Sequence, residues 1–461
     1  MSELGATSPQ EFVSKYKPYP EYKDSMIEWL HSIPKHWLST KVKYGFDITL
    51  GKMLTKEPKD SSYELKPYLK AINIQPEGVN VSAIEKMWFS PSEIKSLRLK
   101  RNDVLISEGG DVGRSAIWNE ELPECYIQNA VNRARAFKKH SPRFFYYWMI
   151  FLKQSGYIEI LCNKSTIAHY TAEKVEASPL LLPIEEEQYN IAAFLDYETA
   201  QIDRLIAKQQ QLMELLKEKR QAVISHVVTK GLNPNASMKD SCVEWLGQVP
   251  EHWNTPKLFY VTSRIGDGLH STPIYQEGTG YFFVNGNNLN NGDVTVGSTA
   301  KGVPFEEYQA HYINLDERSV LLSINGTIGN VALYRNEPII LGKSAAYINC
   351  KAMLSPDYLR WYLTIDQAKL YYKLEATGTT IYNLSLGSIR NMKVLLPPMQ
   401  EQHIIAQFCS ASYLKYEQLI SAAIKKMSIL QERRTALISA AVTGKIDLRG
   451  WTLPSDNEVT A

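Results

Sequence analysis

Cysteine is scarce in this chain. Five in 461 residues, Cys125, Cys162, Cys242, Cys350 and Cys409, lie far apart and form no C-x-x-C pair. That spacing excludes a disulfide framework and a zinc knuckle and predicts free thiols in a reducing compartment. Net charge is equally small: 51 Lys plus Arg against 49 Asp plus Glu give a formal +2, so any basic surface must be local. The most apolar stretch, Phe144 to Leu152, is too short to span a bilayer, and the first dozen residues carry no apolar leader core. A soluble cytoplasmic protein without a membrane partner is expected.

Motifs for cofactor chemistry are missing as well. Gly342-Lys343-Ser344 resembles the end of a phosphate-binding loop, but Glu337 stands where its turn glycine belongs. There is no H-E-x-x-H, no G-x-G-x-x-G and nothing like a nucleophile elbow. In place of the Asn-Pro-Pro-aromatic string that holds a flipped base, the chain offers Leu396-Pro397-Pro398-Met399. We expect no catalytic residue, no metal site and no cofactor bound by this chain.

What the chain does contain is itself, twice. Lys23 to Trp37 reads KDSMIEWLHSIPKHW and Lys239 to Trp253 reads KDSCVEWLGQVPEHW, with nine of fifteen positions identical. The same offset aligns VLISEGGDVGRSAIW from Val104 with VLLSINGTIGNVALY from Val320, and a slightly shorter one aligns LLLPIEEEQYNIAAF with VLLPPMQEQHIIAQF. Each copy begins with strand-like runs and glycine turns and becomes helical after Pro183 or Pro398. Leu195, Ile202, Leu216 and Val223 repeat at seven or fourteen residues, with Leu205 and Leu212 on an adjacent row, and Gly231 and Gly444 supply stop signals. Each helix is expected to be roughly 60 Å long, and one such rod in a chain has nothing to cover its stripe, so the two should pair antiparallel with Arg204, Lys208, Glu218 and Arg220 facing outward. The fold class is therefore α/β (α+β): two globular domains in tandem duplication, separated by two long antiparallel coiled-coil helices. The expected divisions are an arm at 1–22, globular domains at 23–183 and 232–397, helices at 184–231 and 398–446, and a tail at 447–461.

Readout chemistry is better represented than catalysis. Residues 38–183 hold 21 Lys plus Arg against 16 acidic residues, and residues 254–397 hold 12 against 11. In the first domain Arg98, Lys100, Arg101, Arg114, Arg133, Arg135, Lys138 and Lys139 are candidates for phosphates and guanine edges. The second concentrates amides, Asn285, Asn287, Asn288, Asn290 and Asn291, and asparagine pairs bidentately with adenine. The turns at Gly110-x-x-Gly113 and Gly326-x-x-Gly329 have two readings, a purely structural need for positive φ or a backbone loop approaching phosphate with Arg114, Asn325 and Thr327 beside it. Ser141-Pro142 and Ser355-Pro356 read as the starts of short aromatic helices that belong to the core.

The repeated K-D-S-x-x-E-W-L-x-x-x-P-x-H-W opening, the S-x-x-G-x-x-G hairpin, the G-T-T-I-Y-N-L-S segment before L-L-P-P-x-x-E-Q and the ending R-x-A-L-I-S-A-A-V-T-G resemble the specificity subunit of type I restriction-modification systems, over about residues 15–450. The resemblance implies a non-catalytic subunit whose two target-recognition domains each read one half of a bipartite, asymmetric site on double-stranded DNA. It implies two modification subunits, which bring S-adenosylmethionine, and two restriction subunits, which use ATP and Mg²⁺. With the segment and its neighbours it adds Lys164, Thr166, His169 and Tyr170 in the first copy, and Lys343, Thr379, Thr380, Tyr382 and Asn383 in the second, as DNA-binding candidates. The first copy departs from the pattern, with Ser165 to Tyr170 where the second has Thr379 to Leu384. A scaffold binding only proteins through its helices is the alternative, and it gives no use for two diverged globular halves.

Overall fold

The computed structural model describes residues 16–137, 139–162, 168–297, 299–378 and 382–454. Two compact units emerge: the chain up to Gln210 together with the chain from Lys425 onward, and Gln211–Ile424. Each unit thus takes part of both long helices.

The duplication is written into the sheets. In the first unit Ser115–Ile117, Val104–Ser107, Val131–Ala136 and Phe46–Leu50 lie side by side in that order, all antiparallel. Val331–Leu333, Ser319–Ser323, Ala345–Cys350 and Thr262–Asp267 repeat the arrangement in the second. The central strands Val104–Ser107 and Ser319–Ser323 are buried throughout, which is why they read as continuous runs rather than alternating ones. A smaller three-stranded sheet accompanies each, Tyr126–Ile127, Glu64–Leu69 and Glu85–Phe89 in one unit, Ile339–Leu341, Phe282–Val284 and Lys301–Gly302 in the other.

Helices Pro142–Gln154 and Pro356–Tyr362 start as the sequence predicts, with the Ser141 and Ser355 hydroxyls accepting from the amides of Phe144 and Tyr358 and proline in the first turn. Their aromatics, Phe144 and Trp148 in one, Tyr358 and Tyr362 in the other, are fully buried core.

The long helices are Glu185–Lys230, 46 residues, and Met399–Val442, 44 residues, and the glycines that end them have φ of +76° at Gly231 and +71° at Gly444. They pair antiparallel. In the first unit Ile191, Leu195 and Ile202 share a core with Leu437, Ile438 and Val442, and Arg434 Nε donates to Asp203 Oδ1 at 2.9 Å. In the second, Ile224, Val227 and Val228 pack with Ile405, Ala406 and Cys409, and Arg220 pairs with Glu417. Two expectations change. Leu205 and Leu212 are 41% and 43% exposed, because a two-helix pair covers one row of each helix and not the adjacent one. Arg220 faces the other helix rather than solvent.

The repeated Glu-Gln at the start of each helix has a joint role. Glu187 accepts from the Tyr19 hydroxyl and pairs with His36 at 2.9 Å, while Glu401 pairs with His252 at 2.9 Å and accepts from Trp253 Nε1 at 3.1 Å. Buried Gln188 and Gln402 accept from the amides of Ser141 and Ser355 at 3.0 and 2.8 Å, and each donates back to a proline carbonyl, Pro183 or Pro397, at 2.9 Å. Helix, aromatic helix and opening hairpin are thereby locked in each unit, with the side-chain amides of both buried glutamines paired. All five cysteines are free, with Cys242 alone exposed. No described helix is long and apolar enough to cross a membrane.

Candidate nucleic-acid interface

Four strand ends meet at one end of each four-stranded sheet. In the first unit the amide of Gly51 donates to Val131 O at 3.1 Å, Val131 sits opposite Ser107, and Ser107 N donates to Arg114 O at 2.8 Å. The glycine turn closes there, Gly113 N donating to Ser107 O at 2.9 Å, as Gly329 N does to Ser323 O at 3.0 Å. Gly110 and Gly326 both have φ of +72°, the left-handed conformation the pattern predicts. Gly51 and Gly268 serve a close crossing: a Cβ would fall 2.3 Å from Gln128 O in one unit and 2.1 Å from Leu341 O in the other.

A sequence-distant segment joins each turn. Tyr170 N donates to Glu108 O, and Leu384 N donates to Ile324 O, both at 2.8 Å. Asn325 and Asn383 also form a backbone bridge. In the second unit this end therefore gathers Asn285, Asn287, Asn288, Asn325, Thr327, Lys343, Tyr382 and Asn383. Gly342-Lys343-Ser344, the phosphate-loop lookalike, braces that site: Ser344 Oγ accepts from Gly286 N at 2.9 Å and donates to Asn285 Oδ1 at 3.0 Å. Tyr382, 59% exposed, lines with Gly326, Ile328, Tyr372 and Lys373 an open cleft of about 570 Å³.

The first unit divides its candidates. Arg114 and His169 lie at the convergent end, Arg114 donating to Ala71 O at 3.0 Å and His169 Nδ1 standing 3.5 Å from Glu108. Arg98, Lys100, Arg101 and Lys139 lie at the opposite end of the sheet, before Val104 and beyond Ala136, so they do not join Arg114 in one surface. Three candidates are corrected outright. Arg133 is buried, donating to Asp47 Oδ2 at 2.9 Å, Thr49 Oγ1 at 2.6 Å and Ser96 O at 2.7 Å, and burial holds its pKa below the usual guanidinium value. Tyr170 is buried with its hydroxyl 2.7 Å from Ser178 Oγ, and burial pushes its phenol pKa up. Asn288 is buried and serves a turn described below. Arg135 is committed too, meeting Asp103 through Nε at 2.7 Å and Nη2 at 2.6 Å. Lys138, Lys164, Thr166, Thr379 and Thr380 lie outside the described residues.

The electrostatics of the two ends differ. At the first, Asp111 pairs with Arg114 at 3.5 Å and with Lys153. At the second, the turn carries no acid, and Lys343 and Lys373 have no carboxylate partner among the described residues. The less basic domain thus presents freer cations at this end, the reverse of what composition suggests.

One element escapes the sequence reading. Lys70 to Gln75 in the first unit folds as Asn285 to Asn290 does in the second, a 3-10 turn leading into a two-stranded hairpin at the convergent end. Only the asparagine at Asn73 and Asn288 is shared between KAINIQ and NGNNLN, too thin a signal without the fold.

Comparison with known proteins agrees with this architecture. The family model described as type I restriction modification DNA specificity domain matches residues 34–215 and 264–426. The MjaVIII type I restriction enzyme specificity subunit of Methanocaldococcus jannaschii is 22% identical over 447 residues, covering 93% of this chain and 97% of that protein. The EcoBI specificity subunit of Escherichia coli is 24% identical over 324 residues, 66% of this chain and 65% of that protein. A solved chain described under "Structural basis underlying complex assembly and conformational transition of the type I R-M system" shares the fold with a TM-score of 0.67 at 16% identity, over 90% of this chain and 99% of that one. With its domain matched twice over most of its length, this chain belongs to the type I restriction-modification DNA specificity family and is a specificity subunit of that class.

Proposed function

We propose that each unit reads one half of a bipartite, asymmetric double-stranded DNA target through its convergent sheet end, and that the long helices set the half-site spacing and dock two modification subunits. The chain itself is non-catalytic. S-adenosylmethionine, ATP and Mg²⁺ belong to the modification and restriction subunits of a cytoplasmic assembly in a bacterium or archaeon. What carries the reading is the repeated end itself: the same turns are held by the same backbone bonds in both units, yet present Arg114 and His169 in one and Asn287, Lys343, Tyr382 and Asn383 in the other. Backbone amides and cations position a duplex, and differing side chains on a common frame discriminate bases.

Replacing residues 38–183 by the corresponding domain of a relative should change one half-site of the methylated motif and leave the other intact, as mapped by genome-wide detection of modified adenines. A change in both half-sites would defeat the modular reading.

A further inference from the structure

The turn at Lys70–Gln75 and Asn285–Asn290 is held by four matching bonds. Lys70 N donates to Asn73 Oδ1 at 2.8 Å and Asn285 N to Asn288 Oδ1 at 2.9 Å. Asn73 Nδ2 donates to Asn80 O at 2.9 Å, and Asn288 Nδ2 to Thr295 O at 3.3 Å. The amides of those same residues, Asn80 and Thr295, return bonds of 2.8 Å to Asn73 O and Asn288 O. Finally Gln75 Nε2 donates to Ile72 O at 2.5 Å and Asn290 Nδ2 to Asn287 O at 3.0 Å, so even the carbonyl at the tip is held by a side chain three residues on.

With the backbone fixed alike, the two turns differ in what their tips present. Ile72 is 70% exposed, a large apolar side chain with no core to enter. At the equivalent place Asn287 is exposed, and its side-chain amide has no intramolecular partner among the described residues. Each tip is also tied to the convergent end. Arg114 clamps Ala71 O in the first unit, and Gly286, where a Cβ would fall 2.2 Å from Ser323 Oγ, presses the second turn against the glycine-turn strand.

A rigid frame with one interchangeable exposed side chain is what base discrimination requires. We infer that Ile72 and Asn287 are specificity-determining residues, one in each half-site. The chemistry assigns each a base: an aliphatic side chain selects the C5-methyl of thymine, and a carboxamide donates to and accepts from the N7 and N6 edge of adenine in the major groove. The buried Asn73 and Asn288 are positioning residues that hold the tip and touch no base. This inference rests on the half-site reading proposed above.

The test uses the full chain co-expressed with its modification subunits and maps methylated adenines in the host genome. Ile72→Ala should relax one base pair of one half-site, Asn287→Ala one base pair of the other, each with a roughly tenfold or greater loss of discrimination. Asn287→Asp, nearly isosteric, replaces the amide donor by an acceptor and should move the preference from adenine toward cytosine, whose N4 amino group donates. A wild-type motif that is not bipartite would overturn the half-site reading, and this inference with it. A normal wild-type motif that all three variants keep with undiminished discrimination overturns this inference alone. So does a uniform fall in methylation at every site without altered base preference, which would make the tip a backbone contact.

Discussion

Asp103 in the first unit and Ser319 in the second hold the same place in the repeat and serve the backbone alike, Asp103 Oδ2 accepting from Lys100 N at 2.7 Å and Ser319 Oγ from Asp316 N at 2.9 Å. Beyond that bond they part. Asp103 receives both prongs of Arg135, whereas Ser319 sits opposite Asn349, whose amide reaches Asn314 O at 3.5 Å. Farther along the same strand, opposite Leu105, the first unit buries Arg133 on Asp47 and Thr49. Opposite Leu321 the second has Tyr347, with the Arg264 guanidinium 5.2 Å over its ring. The scaffold needs an acceptor at the turn and filled volume on the strand, and either aspartate with two arginines or serine with asparagine and tyrosine supplies both. An arginine-rich strand in this fold is therefore no sign of a nucleic-acid contact.

The largest expected effect follows from that contrast. Asp103→Ala strands a partly buried guanidinium as well as a backbone amide and should destabilise the chain by about 2–3 kcal/mol, below the usual cost of breaking a fully buried pair because Arg135 keeps some solvent. Ser319→Ala removes the acceptor for Asp316 N and a hydroxyl donor to Asp316 Oδ1 at 3.0 Å but strands no guanidinium, and should cost about 1 kcal/mol. Denaturant unfolding of both variants decides; equal losses would mean that the Asp103–Arg135 pair adds nothing over the serine's bonds.

Next in size is a comparison between sheet ends. If the convergent end meets DNA, Lys343→Ala should flatten the dependence of log affinity on log salt by about one unit, while Lys100→Ala, at the far end of the other unit's sheet, should leave the slope unchanged. The reverse result would move the interface to the opposite end. Binding isotherms of the assembled complex over a salt series give both slopes.

How much of this was legible in the chain depends on the range of the interactions. The duplication, the paired helices, the positive-φ glycines and the Ser141 and Ser355 caps are local patterns, and each appears in the fold. Site membership is not local. Arg98 and Arg114 are near in sequence, but a buried strand carries them to opposite sheet ends, whereas Ile324 and Leu384, remote in sequence, share a backbone hydrogen bond. Arg133 looked like a phosphate ligand because its partners Asp47 and Thr49 come from a strand more than eighty residues earlier. The tip at Ile72 is not legible in the sequence because an exposed isoleucine carries no motif, and its kinship with Asn287 lies only in the matching hydrogen bonds.

The smallest effect separates two ion pairs that tie the long helices together, one in each unit. Arg434 reaches Asp203 with 24% and 53% of their side chains exposed, and Arg220 reaches Glu417 with 22% and 42%. Pairs this open to water and salt contribute little, so Arg434→Ala should cost about 0.5 kcal/mol, most of it removed at high ionic strength. Arg220 has a second contact: its guanidinium lies 4.9 Å over the Tyr413 ring, a contact that depends on the planar cation and its packing as well as on charge. Arg220→Ala should therefore cost about 1–1.5 kcal/mol and keep roughly half of that at high salt. A double-mutant cycle with Glu417→Gln isolates the ion pair, and one with Tyr413→Leu isolates the ring. Arg220→Lys preserves the charge and loses the planar stack, so it should fall between wild type and alanine. If Arg220→Ala and Arg434→Ala cost the same and are screened alike, the ring contributes nothing and the helix pair is held equally in both units by its apolar row.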